Sequence, residues 1–122
     1  MSQTLLRVLV VDNEYLIALD VERILRDAFN CEVVITTRAK SISILQKERF
    51  NVVLLDTAGA LETLQAEVDA VMACGANLAF STTCDEFAQG MPGFPGMVVL
   101  LKPYRDEILI SVIGSFIKPA AS

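Results

Sequence analysis

One acidic residue follows the most hydrophobic segment of this chain. Asp56 ends the run NVVLLD, and the small residues TAGA come directly after it. A carboxylate can attack phosphorus and form an aspartyl phosphate when cations neutralise the incoming charge. The lack of bulk after Asp56 leaves room for a phosphoryl group, so this residue is the candidate nucleophile.

Other polar residues follow other hydrophobic runs. Asp12 and Asn13 come after LRVLVV, Thr82 lies in the STT that follows NLAF, and Lys102 follows MVVLL. Clustered carboxylates repel one another, and Mg²⁺, which prefers oxygen ligands and often bridges to phosphate, relieves that repulsion. Lys102 offers a point charge to phosphate oxygens, and Thr82 offers a hydroxyl that can reorient when phosphate arrives. The set predicts phosphoryl chemistry on a carboxylate.

Each candidate also has an ordinary structural explanation. Asp56 and Asp12 stand where aspartate commonly caps a helix or a turn, and a lysine before proline is usually a solvated surface residue. Ser81 or Thr83 could supply the inward hydroxyl in place of Thr82. The phosphoryl hypothesis is favoured because all the candidates follow predicted strands.

The hydrophobic runs have the pattern of buried parallel strands. They are nearly continuous rather than alternating, as in strands covered on both faces, and they span 6–11, 32–36, 51–56, 77–81 and 97–101. Apolar residues at helical spacing lie between them: Ile17, Val21, Ile24, Leu25 and Ala28; Ile42 and Leu45; Leu61, Leu64, Val68, Val71 and Met72, ended by Gly75. A last helix is predicted over 106–117.

Strands alternating with helices predict a three-layer, doubly wound α/β fold, with five parallel strands in the flavodoxin-like order 2-1-3-4-5. The segment 84–96 holds two prolines and three glycines, so the fourth helix of such a fold should be reduced to a short turn around Asp85 to Gln89. Ligands bind at the carboxyl ends of the strands in these sheets. The candidate residues should therefore converge at one edge.

Composition limits the possible functions. A chain of 122 residues that is 53% hydrophobic fits one compact domain over 1–122. It has no apolar run near the roughly 18–20 residues of a membrane-spanning helix and no secretion-signal pattern. Three cysteines without metal-ligand spacing predict reduced thiols in a cytoplasmic protein. The net charge of −5 argues against direct binding to nucleic acid.

The strand-end motifs together resemble the receiver domains of two-component response regulators. The matching segments are RVLVVDNEYLIALDVERIL, NVVLLD, AFSTT and VLLKPY, and the resemblance covers about residues 5–118. FSTTC falls where a subgroup of single-domain receivers has Phe-Ala-Thr-Gly-Tyr, and QGMPGF is similar to a loop of that subgroup. The resemblance implies that Asp56 is the phospho-acceptor, Thr82 the switch hydroxyl and Lys102 the phosphate clamp.

The resemblance also implies a magnesium site, made by Asp12, Asn13, Asp56 and the Ala58 carbonyl. Most receivers have a second acidic residue where this chain has Asn13, and the amide brings no charge to the metal. Many receivers also have an aromatic residue at the position of Val99, and it swings inward on phosphorylation. We therefore expect weaker metal binding and a readout that does not use that aromatic residue.

The leading hypothesis is a stand-alone receiver that accepts a phosphoryl group from a histidine kinase or phosphotransfer protein and then changes its binding to a downstream protein. It would not be an enzyme beyond, at most, phosphorylating and dephosphorylating itself. Asn13 motivates an alternative, a degenerate receiver that binds partners without phosphorylation. A hydrolase of the haloacid-dehalogenase type is disfavoured because its acid/base aspartate would stand at Ala58.

The last predicted helix carries more apolar residues than one core face needs. Leu109, Val112, Ile113 and Phe116 suffice for a core stripe, whereas three further isoleucines add apolar surface: Ile108, Ile110 and Ile117. This surplus either widens the core face or predicts a homodimer or partner surface on that helix.

Overall fold

The computed structural model describes residues 6–58, 61–87 and 89–117, with the backbone alone for 61–63. Five strands carry the candidate residues at their ends: β1 (Leu6–Val11), β2 (Cys31–Thr36), β3 (Val52–Asp56), β4 (Asn77–Thr82) and β5 (Val98–Leu101). All neighbours pair in parallel, in the order β2-β1-β3-β4-β5. The predicted fold class and strand order are confirmed, and the strand ends differ from the prediction by one residue.

Four helices cover the two faces of this sheet: α1 (Tyr15–Ala28), α2 (Arg38–Lys47), α3 (Leu61–Cys74) and α4 (Asp106–Ile117). One hydrophobic core lies between the sheet and the helices α1 and α4, and a second lies between the sheet and the helices α2 and α3. Each strand interior is therefore buried on both sides, which explains the continuous apolar runs. None of the described helices is long and apolar enough to cross a membrane.

The helix stripes were predicted correctly in outline but wrongly at their margins. Ala18 is fully buried on α1, whereas the predicted core residue Ala28 is exposed. Met72 on α3 is 48% exposed, because the buried stripe of that helix runs through Leu64, Val68 and Val71 instead. Ala28 lies at the end of α1, and Met72 lies at the edge of the apolar stripe of α3. At such positions the helical spacing alone does not show whether a side chain is buried.

The fourth helix of the predicted fold is reduced, as expected. A single 3₁₀ turn, Asp85–Phe87, replaces it between β4 and β5. Gly93 and Gly96 then take left-handed backbone conformations, with φ of 86° and 81°, which side chains other than glycine rarely adopt. The loop is still anchored, because the Phe94 ring packs 5.4 Å from that of the buried Phe80.

Candidate functional site

The carboxyl ends of the strands hold the candidate residues in register. The backbone N–H of Asp12 donates to Thr36 beyond the β1–β2 pairing, and that of Lys102 donates to the Thr82 carbonyl at 2.7 Å beyond the β4–β5 pairing. Asp56 pairs with Ser81 across β3 and β4. These hydrogen bonds continue the ladder of the sheet past the last residue of the strands. The backbone that carries the polar side chains is therefore held in place.

Three of the predicted residues meet at this edge. The Lys102 ammonium lies 3.0 Å from Oδ1 of Asp56 and 3.1 Å from Oδ2 of Asp12, with Oε1 of Glu14 at 3.7 Å. The side chains of Lys102, Asp12 and Asp56 are 2%, 2% and 5% exposed. We call these three residues the acceptor pocket. Its two carboxylates and one ammonium match the predicted convergence.

The charges of the acceptor pocket stabilise one another. Burial by itself lowers the pKa of Lys102, but hydrogen bonds to Asp56 and Asp12 outweigh it, so the net pKa is raised. The ammonium therefore stays charged at neutral pH. A buried, permanently charged donor between two acids is positioned to neutralise charge that arrives on a phosphoryl group.

The predicted switch hydroxyl lies at the rim of the pocket. Thr82 is 3% exposed, and its Oγ1 accepts a hydrogen bond of 3.0 Å from the Cys84 N–H. Ser81 is also buried and stands beside Asp56 in the sheet register, whereas Thr83 is exposed. The structure removes Thr83 from the three candidate hydroxyls and leaves Ser81 and Thr82.

Two predicted metal ligands, Asn13 and the Ala58 carbonyl, accept hydrogen bonds from Arg38. The Asn13 side chain is exposed, and its Oδ1 accepts the backbone N–H of Arg38 at 3.2 Å. The Ala58 carbonyl accepts a hydrogen bond from the Arg38 guanidinium. On its other side this guanidinium binds Glu67, with Nε 3.1 Å from Oε2. We call Arg38, Glu67 and the Ala58 carbonyl the Arg38 cluster.

The side chains of the Arg38 cluster are largely buried and are held by hydrogen bonds. The side chains of Arg38 and Glu67 are 12% and 6% exposed. Buried Ser41 also bonds to Glu67, with 3.3 Å between its Oγ and Oε2. Hydrogen bonding to Glu67 raises the pKa of Arg38 more than burial lowers it, and the negative charge of Asp56 raises it further. Arg38 therefore acts electrostatically on the acceptor pocket.

The four predicted magnesium ligands do not fit Mg²⁺ in this arrangement. Asp12 and Asp56 place two carboxylates together, but the oxygens of Asn13 and Ala58 are taken by Arg38. Among the described side chains, those of residues 6–58, 64–87 and 89–117, no three acidic or cysteine residues are grouped to hold a metal ion. Mg²⁺ needs oxygen ligands that are open to it, whereas here the two carboxylates hold the Lys102 ammonium and the two neutral oxygens hold Arg38.

Tyr104 lies against the acceptor pocket with an unused hydroxyl. The hydroxyl is buried and makes no hydrogen bond of normal geometry with any described residue, although the side chain packs on the core of α1 and α4. Burial raises the pKa of Tyr104 to about 12; the nearby Ser81 hydroxyl and the Lys102 charge offset this only in part.

Replacing Tyr104 by phenylalanine should stabilise the protein by about 1 kcal/mol at neutral pH, because a buried hydroxyl without a partner costs free energy. The pKa is higher in the folded protein than in the unfolded chain, where it is about 10. Tyrosine therefore loses stability relative to phenylalanine as the pH rises from about 10 towards 12. Urea unfolding at pH 7 and pH 10.5 measures both effects, and Tyr15→Phe, at a residue 62% exposed, is the control. Equal stabilities of Tyr104→Phe and wild type would contradict the assignment.

Sequence reasoning missed Arg38 and Glu67, although both left a signal. Arg38 follows β2 just as Asp12 follows β1, so the rule that selected the other strand ends also selects TTR at 36–38. Glu67 interrupts the buried stripe of α3 between Leu64 and Val68, where a carboxylate without a partner would be costly. A buried acid in an apolar stripe predicts a buried cation opposite it.

Comparison with known proteins supports the fold. No protein-family model matches the sequence, and no curated protein matches it. Solved structures do match. A response regulator from Thermotoga maritima is 18% identical with a TM-score of 0.78, over 93% of this chain and 98% of that one. A chemotaxis protein of Vibrio cholerae is 23% identical with a TM-score of 0.75, over 93% and 100%. A receiver protein from Sinorhizobium medicae is 21% identical with a TM-score of 0.71, over 94% and 96%.

Proposed function

We propose that this chain, which has the fold of response-regulator receivers, is a phospho-acceptor that takes a phosphoryl group onto Asp56. The observation that carries the proposal is the Lys102 ammonium, which lies 3.0 Å from the Asp56 carboxylate in a pocket shielded from water. A buried carboxylate beside a fixed cation can act as a nucleophile towards phosphorus, because the cation stabilises the charge that the phosphoryl group brings.

The transfer requires few groups. An oxygen of Asp56 gives an electron pair to phosphorus while the bond from phosphorus to the donor nitrogen of a phosphohistidine breaks. That nitrogen keeps the bonding electrons, and because the other ring nitrogen carries a proton the histidine leaves as neutral imidazole; neither partner is oxidised or reduced. Lys102 then moves from the Asp56 carboxylate to a phosphoryl oxygen. Thr82 can exchange its bond from Cys84 for a bond that its own hydroxyl donates to the same group.

The proposed donor is a histidine kinase or a phosphotransfer protein, and the proposed output is altered binding to another cytoplasmic protein. The receiver fold is that of signalling domains, as in the response regulators above. Ile108 and Ile117 on α4 are 48% and 41% exposed, and Leu101 on β5 is 40% exposed. This face is the proposed dimer or partner surface, although Ile110, which had been assigned to it, packs on the core.

Incubation with acetyl phosphate or phosphoramidate should add the mass of one phosphoryl group, located on Asp56 by peptide mapping. Asp56→Asn should abolish the addition, because an amide oxygen is a poor nucleophile. Glu48→Gln, at an exposed residue of α2's carboxyl end, is the matched control and should be modified like the wild type. Absence of modification with every donor, or modification that survives Asp56→Asn, would refute the proposal.

A second candidate is a degenerate receiver that binds its partner without phosphorylation. It is favoured by one observation, namely that Arg38 takes the oxygens of Asn13 and Ala58. The proposed function includes the Mg²⁺ predicted from the sequence only in a state in which Arg38 no longer bonds to those two oxygens. The phosphoryl test separates the candidates, because a degenerate receiver would stay unmodified while binding its partner.

A further inference from the structure

We propose that Arg38 competes with a divalent cation for the metal subsite of this receiver, so that the resting protein holds a built-in guanidinium where a metal ion would bind. The inference deepens the proposed function, on which it rests for its biological meaning. It can be tested separately from the proposed function, because it concerns cation binding rather than phosphoryl transfer.

The first argument is the position of the guanidinium. It binds the Ala58 carbonyl, two residues after Asp56, and that oxygen is one of the four that a magnesium ion would need. The backbone N–H of the same residue takes a second oxygen, Oδ1 of Asn13, at 3.2 Å. Arg38 therefore occupies both uncharged oxygens, Asn13 through its backbone and Ala58 through its side chain, and a substitution at position 38 removes only the side-chain contact.

The second argument is charge. A like charge close to a cation site disfavours the cation, and the Arg38 guanidinium is bonded to the Ala58 carbonyl, only two residues after Asp56. Lys102 already neutralises part of the negative charge of Asp12 and Asp56. With Arg38 in place, a divalent ion would enter a pocket in which Lys102 already binds both carboxylates, beside a guanidinium that bonds to the Ala58 carbonyl and is bound on its other side by Glu67.

The third argument is the anchor. Arg38 is held by both oxygens of Glu67, a residue of α3 that is 4% exposed, and Ser41 holds the same carboxylate. A guanidinium bound this way has little freedom to leave, since its departure would strand a buried charge. Competition with a metal ion should therefore persist in solution at moderate Mg²⁺ concentrations.

The test is the Mg²⁺ affinity of unphosphorylated protein, measured by calorimetry and by amide shifts of residues 12–14 and 56–58. Arg38→Met should tighten binding at least tenfold. Arg38→Met combined with Glu67→Gln keeps the test valid if the single variant folds poorly, and it should tighten binding as well. Arg23→Met combined with Asp20→Asn removes a similar pair that is exposed on α1 and should leave the affinity unchanged.

An affinity of the Arg38 variants within threefold of wild type, or weaker than it, would overturn the inference. The inference would also be overturned if no variant bound Mg²⁺ detectably, because removing the guanidinium would then have created no metal site. The phosphoryl test on Asp56 is independent of these results. If Asp56 is never phosphorylated but the Arg38 variants bind Mg²⁺ more tightly, the proposed function fails and the inference about Arg38 stands.

Discussion

Lys102→Met should cost about 3–5 kcal/mol of the free energy of unfolding at neutral pH, the penalty typical of a buried ion pair that loses one partner. The substitution leaves the carboxylates of Asp12 and Asp56, with side chains 2% and 5% exposed, without the ammonium that lies about 3 Å from each. Methionine fills a similar volume, so the loss reports the charge rather than a cavity.

The pH dependence of this deficit identifies its cause. The pKa of Lys102 is raised above its ordinary 10.5, so its stabilisation is fully present below that value and is lost only as the pH rises through the raised pKa. The deficit of Lys102→Met should therefore be the same at pH 7 and pH 9, and it should shrink only as the pH rises above about 10.5.

Urea unfolding of wild type and Lys102→Met at pH 7 and pH 9 measures the deficit. Lys47→Met, at an exposed residue in the last turn of α2, is the control and should unfold like the wild type at both pH values. A deficit that is small at pH 7, or that has already disappeared at pH 9, would show that Asp12 and Asp56 do not depend on Lys102 for their charge balance.

The second large effect should come from the Arg38 cluster. Arg38→Met alone should cost about 3–5 kcal/mol, because it leaves Glu67 charged, 4% exposed and without the guanidinium that binds it. Combining it with Glu67→Gln removes both charges and should restore more than half of the loss, since a neutral amide can still bond to Ser41. The two effects are therefore strongly non-additive.

Urea unfolding of the wild type, both single variants and the double variant gives the coupling free energy of the pair. The exposed pair Arg23 and Asp20 provides the matched cycle, in which no coupling of comparable size is expected because solvent screens it. Additive effects at Arg38 and Glu67 would mean that the contact contributes nothing to stability, and would remove the anchor on which competition with Mg²⁺ depends.

Sequence reasoning identified the fold because its strongest patterns are set by burial. Strands covered on both faces must be continuously apolar, so their number and their approximate ends were visible, and their parallel direction followed from the alternation with helices. The ends of strands also located Asp12, Asp56 and Lys102. Their meeting required the sheet order alone, which is why the acceptor pocket was predictable before any coordinates.

The rest of the site was harder to predict from the sequence, because it depends on the direction in which side chains point. Asn13 follows Asp12 in sequence, yet it turns towards Arg38 rather than into the pocket. The Ala58 carbonyl was expected from resemblance to other receivers, and the resemblance carries no information about an arginine at position 38. The contact between Arg38 of α2 and Glu67 of α3 joins residues 29 positions apart, and no local pattern encodes which charged residues of the two helices meet.

The most direct test of the central claim is a crystal structure of the protein with beryllofluoride and Mg²⁺, a stable imitation of a phosphorylated carboxylate. We expect beryllium bonded to an oxygen of Asp56, one fluorine within hydrogen-bonding distance of the Lys102 ammonium, and another within reach of the hydroxyl of Thr82. A structure with the anion bound away from Asp56, or with Lys102 still on both carboxylates and no anion bound, would contradict the account of this protein as a phospho-acceptor.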